Sequence, residues 1–308
     1  MFTPPLTSCI FCKLFSLSGE VPPAEKKTQK PRGSKFLPAM GEKSTKTLFF
    51  FHGFGAYAFA HKHPIQSFRK AGFNVVVANL LGHGSNTRKL THVILNYGEL
   101  VNQALSVFRH YNERCAKNHS VAFVGMSTGA TVLLLASIAL RKDASINSRL
   151  RCFVGIGTAF NVTHNETRWW MRKAAHVIRW LLRIPFIAPW LAKLTLPRHF
   201  SAQEISDDKV VQDYLLYNPK VCKDTLPIGW ASSIDTMGKL AFKKLERLDI
   251  PALLLHGDED RIAQYPALHP LKHKNVTLKL RSGKHDVISG ANDAESRQMI
   301  IEFLHNHL

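Results

Sequence analysis

Near residue 46 the pattern of apolar and polar positions changes character. From Thr47 onward, short apolar runs alternate with amphipathic stretches. TLFFFHG reads as a buried strand ending in a loop, and NVVVAN at Asn74–Asn79 and VAFVG at 121–125 read as two more. Helices are predicted over Pro64–Ala71, over Tyr97–Asn112 and onward from Thr128. Further strands are expected at Cys152–Ile156, Ala252–His256 and Val276–Leu280, ahead of a last helix near Ala294–His307. Strands alternating with helices imply an α/β chain with a mainly parallel sheet covered on both faces.

Two regions break this rhythm. Residues 1–45 hold several prolines and the basic stretch EKKTQKPRGSK, and read as an irregular N-terminal extension or weak hairpin, with Cys9–Phe15 a candidate strand. Residues 161–244 show no convincing strand, many aromatic and basic residues, and prolines at 185, 189, 197, 219 and 227. They read as a helical cap inserted between two stretches of core, 46–160 and 245–308. The opening helix of the cap, around Arg168–Ile184, places Arg172, His176, Arg179 and Arg183 on one stripe, with Trp169, Trp170, Val177 and Leu181 among the residues covering the rest. A wide apolar face with tryptophan and basic residues suits either a lid touching lipid or the packing of the cap onto the core.

Composition adds one strong constraint. The chain of 308 residues has an ordinary 45% hydrophobic content but a formal net charge of +19. Such a charge favours anionic surfaces, a lipid headgroup layer or nucleic acid. No zinc-finger, helix-turn-helix or RNA-recognition signature is present, so no nucleic-acid partner is expected, and peripheral contact with an anionic membrane is the reading kept. The five cysteines have no framework spacing, and the lone C-x-x-C at Cys9 and Cys12 has no second pair for a zinc site. With no secretory signal in the first residues, these features imply a reducing, cytoplasmic setting. Val121–Leu140 runs for 20 residues without a charge, long enough to span a bilayer. Gly125, Gly129 and the β-branched start favour a buried strand, a sharp turn and a buried helix instead.

The candidate chemistry begins in that turn. G-M-S-T-G, Gly125–Gly129, sits between a predicted strand and a predicted helix, which is the setting of a nucleophile elbow around Ser127. A serine hydroxyl needs a base, and the base needs an orienting acid. G-D-E-D after the strand ALLLH offers Asp260, with Asp258 and Glu259 as rivals. RSGKHDV, between the last strand and the last helix, offers His285, with Asp286 as a further rival acid. Asp260 is favoured because Asp258 lies earlier in the turn. H-G-F-G at His52–Gly55 ends another strand. The amides of Phe54 and Thr128 are the candidate oxyanion donors, while His52 is expected to prop its loop.

FFFHGFG, LLGHGSN at Leu80–Asn86, GMSTG, LLLHGDEDRI and GKHDV, in this order, resemble the α/β-hydrolase superfamily. In particular the chain resembles its monoacylglycerol lipase/lysophospholipase group, the "serine aminopeptidase" type hydrolases. DYLLYNP at Asp213–Pro219 resembles the end of that group's cap. The likeness runs from about Thr47 to the C-terminus. It implies an α/β-hydrolase fold with a helical lid over an acyl pocket, Ser127, Asp260 and His285 as triad, and Phe54 and Thr128 as oxyanion donors. A triad of this kind hydrolyses a carboxylic ester through an acyl-enzyme and needs no metal or cofactor, and the basic surface and tryptophan-rich lid suggest a lipid-like ester such as a monoacylglycerol or lysophospholipid. A small-ester esterase, thioesterase or peptidase, or a non-catalytic protein of the same fold, are the rival readings. The chain departs from the group in carrying Asn79 where an acid usually precedes LLGHG, and in lacking recognisable N-terminal strands.

Overall fold

The computed structural model describes residues 30–86, 93–115, 118–141, 149–160, 176–178, 180–197, 201–218, 221, 225–263 and 273–308. In chain order its first half runs β1 (Ser34–Leu37), β2 (Lys46–Phe51), α1 (Lys62–Lys70), β3 (Asn74–Ala78), α2 (Gly98–Asn112), β4 (Ser120–Met126), α3 (Thr128–Leu140) and β5 (Leu150–Ile156). There follow α4 (Ala188–Leu191), β6 (Thr195–Pro197), α5 (Ala202–Ile205), α6 (Lys209–Tyr217), β7 (Thr225–Pro227) and α7 (Ile228–Leu245). β8 (Ala252–Gly257), β9 (Val276–Arg281) and α8 (Ala294–His307) complete the chain.

Seven strands form one sheet in the order β1-β3-β2-β4-β5-β8-β9. Only β1 is antiparallel to its neighbour; the other pairs are parallel. Because side chains alternate across a strand, the run Leu48–Phe51 feeds two cores at once. Phe49 and Phe51 join Phe108, Phe123 and Leu134 on the face covered by α2, α3 and α7. Leu48 and Phe50 join Phe68, Val124 and Ile300 on the face covered by α1 and α8. Both faces are buried, so these strands read as continuous apolar runs rather than alternating ones. α3 is apolar all round because it lies between the sheet, α2 and α7. The uncharged stretch from Val121 is thus divided between β4 and α3, and among the described residues no helix is long and apolar enough to cross a membrane.

Several details differ from the sequence reading. β1 lies inside the segment read as an irregular extension. It is a four-residue edge strand, and its Lys35 and Phe36 are exposed, so it carries no apolar run to announce it. The candidate strand Cys9–Phe15 lies outside the described residues. The segment 161–244 was expected to hold no strand, yet β6 and β7 pair antiparallel, with Leu196 opposite Leu226. Three residues ending in proline are too few to show a period. α7, read with the cap, buries Met237, Ala241 and Leu245 in the main core. Of the cap's opening helix, Arg172 and Arg179 lie outside the described residues, while His176 and Arg183 are exposed.

The order of the strands fixes where chemistry can sit. The chain leaves β2 for β3 on one side, then crosses back to β4 on the other. Loops after β2 and β4 therefore diverge at the carboxyl edge of the sheet, which opens a crevice there.

Candidate active site

Ser127 follows β4 directly and caps α3. Its backbone sits at φ 51°, the left-handed region, and it is the only non-glycine residue with positive φ among those described. Its own N–H donates to the Ile156 carbonyl at 2.7 Å, and its carbonyl accepts from Ala130 and Thr131 at 3.1 and 3.2 Å. The flanking glycines are required by close approach. A Cβ on Gly125 would lie 2.4 Å from the Ala130 Cα, and one on Gly129 would lie 2.4 Å from the carbonyl oxygens of Phe51 and His52. The strained turn lifts Ser127 out of a buried stretch: its neighbours Met126 and Thr128 are buried and Ser127 is not.

His285 and Asp260 arrive from the loops after β9 and β8. His285 Nδ1 and Asp260 Oδ2 are 2.8 Å apart, and both residues are buried. The other carboxylate oxygen, Oδ1, accepts the amides of Ile262 and Ala263 at 2.8 and 2.9 Å. Burial pushes the Asp260 carboxyl up, but the His285 ring and the two amides outweigh it and hold the group below its usual range. A carboxylate accepts, so Nδ1 carries the proton and the ring lone pair lies on Nε2. Two of the rival acids are engaged elsewhere and the third is exposed. Asp258 Oδ1 accepts the Gly283 amide at 3.0 Å, Glu259 is exposed, and Asp286 Oδ1 accepts the amides of Ile288 and Ser289.

The loop after β2 lies against Ser127. A Cβ on Gly53 would be 3.0 Å from the Ser127 Cβ. Neither the Phe54 amide nor the Thr128 amide donates a hydrogen bond among the described residues. His52 props this loop as expected. Its Nε2 accepts from the Leu80 amide at 3.0 Å, so its Nδ1 donates to the Gly53 carbonyl at 2.7 Å.

Sequence reasoning missed the second half of this prop. The fully buried His83 accepts the Gly55 amide on Nε2 at 2.9 Å and meets the Leu81 carbonyl through Nδ1 at 3.0 Å. Phe54 packs its ring on His83 and on Trp230 of α7, at 5.3 and 5.0 Å. The signal was present in LLGHGSN. Asn79, which stands where an acid was expected, has both ends of its side-chain amide hydrogen-bonded. Its Oδ1 accepts the Ala58 amide at 2.8 Å, and its Nδ2 donates to Ser85 Oγ at 3.0 Å.

Ser127, His285, Phe54 and Thr128 all open on one cavity of about 450 Å³. Phe59, Met126, Leu215 and Ile234 supply apolar wall, and His61, Asp286 and Ser289 a polar corner. Among the described residues no group of three His, Cys, Asp or Glu side chains could hold a metal ion.

The serine aminopeptidase, S33, family matches residues 42–286. The chain belongs to that family. No curated protein sequence matches it. Structures of similar fold include the monoacylglycerol lipase of Paleococcus ferrophilus, with 19% identity over 90% of this chain and 99% of that one, at a TM-score of 0.73. A soluble variant of monoglyceride lipase from Saccharomyces cerevisiae, in complex with a substrate analogue, has 15% identity over 92% of this chain and 98% of that one, also at a TM-score of 0.73. A carboxyl esterase from Bacillus coagulans in complex with glycerol has 17% identity, covering 89% of this chain and 93% of that one, at a TM-score of 0.70. The α/β-hydrolase fold of this family member is therefore shared across nearly the whole chain.

Two buried histidines, His61 at the cavity and His256 at the end of β8, make stability depend on pH. Burial pushes His61 and His256 down to about 4, so both are neutral in the folded chain at pH values where the unfolded chain binds protons. Stability is then expected to fall as pH drops from about 6.5 towards 4, by up to about 1.4 kcal/mol per pH unit for each histidine. Asp260, held low, adds in the same sense as pH falls through its folded value. Asp286, raised by burial, opposes them, because a raised carboxyl stabilises at low pH and loses that contribution as pH rises. Urea denaturation at pH 7 and pH 5 measures the balance, and the difference should shrink in His61→Asn.

Proposed function

We propose that this protein is a serine hydrolase that cleaves a lipid-like carboxylic monoester through an acyl-enzyme. The carrying observation is that a strained Ser127 and a His285–Asp260 pair, brought from three different strands, open on one largely apolar cavity. His285 Nε2 takes the proton of the Ser127 hydroxyl as its oxygen attacks the ester carbon. Asp260 keeps the ring in the required tautomer and stabilises the imidazolium. The amides of Phe54 and Thr128 receive the negative charge, reinforced by the N-terminus of α3. His285 then protonates the leaving alcohol, and water repeats the cycle on the acyl-serine.

The cavity volume and its apolar wall support an acyl chain as the buried group. The part of the segment 161–244 that precedes α7 is read as the lid. Trp180, Phe186 and Trp190 expose 61%, 83% and 65% of their surface there, with Arg183 and Lys193 exposed nearby. Exposed aromatic rings and basic side chains within one segment, on a chain of net charge +19, suit an anionic lipid surface.

A series of p-nitrophenyl esters and monoacylglycerols tests the substrate class, with aminoacyl amides as the competing arm. Turnover should rise with acyl length up to the cavity's capacity, and be faster on vesicles containing phosphatidylserine than on neutral ones. Preference for short soluble esters or for amides, with no response to vesicles, contradicts the lipid reading.

A further inference from the structure

The loop that carries His285 is clipped by a short stretch of the inserted segment, Ile205–Asp208, at three points on both sides of the histidine. Before it, Lys284 Nζ pairs with Asp207 Oδ1 at 2.6 Å. Immediately after it, the Asp286 amide donates to the Ile205 carbonyl at 2.7 Å. Six residues on, the Ala291 amide donates to Asp208 Oδ2, also at 2.7 Å. On its other side the loop is held by α8, where Arg297 donates to the carbonyls of Ile288 and Gly290 at 2.7 Å. The first contact is a partly exposed ion pair and contributes little by itself. The third is different in kind.

Asp208 uses both carboxylate oxygens. Oδ1 caps α6 by accepting the amides of Val210 and Val211 at 2.8 and 3.2 Å, while Oδ2 reaches across to Ala291. The same α6 contributes Val210, Val211 and Tyr214 to the cavity wall. One carboxylate thus ties a helix that lines the cavity to the loop that carries the base. An amide cannot do both, since asparagine has a single acceptor oxygen.

We propose that Asp208 is a positioning residue for His285, fixing the base through the Ala291 amide. This rests on the reading of His285 as the base. A general base works only within hydrogen-bond reach of the proton it takes, and misplacement by about 1 Å costs up to about 100-fold in rate. The inference therefore concerns turnover per folded active site, beyond any contribution of the cap to stability.

Two variants test it from opposite ends of the bond. Asp208→Asn keeps one acceptor for the helix cap and loses the other. Ala291→Pro removes the donor, and its ring Cδ, standing where the amide hydrogen was, also pushes Asp208 Oδ2 away; Gly290, at φ −71° and ψ 162°, already has the extended backbone that precedes proline. Asp213→Asn, which breaks an exposed pair with Lys209 on α6, is the control. Active sites are counted by fluorophosphonate titration, and kcat and KM are measured on a soluble p-nitrophenyl ester.

Asp208→Asn and Ala291→Pro should each lower kcat about tenfold or more with KM within about twofold, while Asp213→Asn matches the parent chain. The double variant should lose no more than the worse single one, because both remove the same bond. Wild-type kcat per titrated site in both variants, or losses that multiply, overturns the inference while leaving the hydrolase reading intact. A parent chain that neither labels nor turns over any ester overturns the hydrolase reading and this inference with it.

Discussion

Ser127→Ala is expected to lower kcat by about six orders of magnitude and to abolish labelling by a fluorophosphonate, with the fold unchanged. The size of the effect follows from the loss of the attacking oxygen itself; what survives is binding and whatever the oxyanion donors do for direct attack by water. Alanine should adopt the turn at φ 51° no better than serine, so unfolding midpoints should move little either way. Equal midpoints with activity lost would locate the effect in chemistry. Retained hydrolysis would mean another nucleophile.

Asp260→Asn is expected to lower kcat by about four orders of magnitude. Asp260 accepts three hydrogen bonds, two from amides and one from His285 Nδ1. An asparagine whose oxygen keeps the two amides turns its NH₂ towards the ring. Nδ1 must then accept, the ring proton moves to Nε2, and the nitrogen needed as a base becomes a donor. Asp258→Asn makes the informative comparison. It weakens a turn contact to the Gly283 amide and should leave kcat within a few-fold. If the two substitutions cost alike, the acid has been misassigned.

The sheet and the elbow were legible because each leaves a local trace. Buried parallel strands must be apolar on both faces, so TLFFF, NVVVA and ALLLH stand out as runs. An elbow needs small residues on either side of its serine, and Gly125 and Gly129 are there because their Cβ atoms would meet backbone at 2.4 Å. Asp260 and His285 were found from their order after strands; their pairing at 2.8 Å could only come from the fold.

What escaped has a common cause. β1 is an edge strand with exposed Lys35 and Phe36, and β6 and β7 are too short for any period. α7 shows an apolar face in sequence, but a face does not say what it packs against. Asp208 is recognisable as a helix cap, and nothing local shows that its second oxygen crosses to Ala291, 83 residues on. His83 and Trp230 likewise support Phe54 from far along the chain.

The central claim is that Ser127 carries the acyl group. Mixing the protein with a p-nitrophenyl ester of a long-chain acid, quenching in acid within the first turnover and digesting the chain measures this directly by mass spectrometry. The peptide containing Ser127 should gain the mass of one acyl group, and that gain should decay as free acid accumulates. An acyl group on any other residue, or ester cleaved with no acylated peptide in the first turnover, would contradict it.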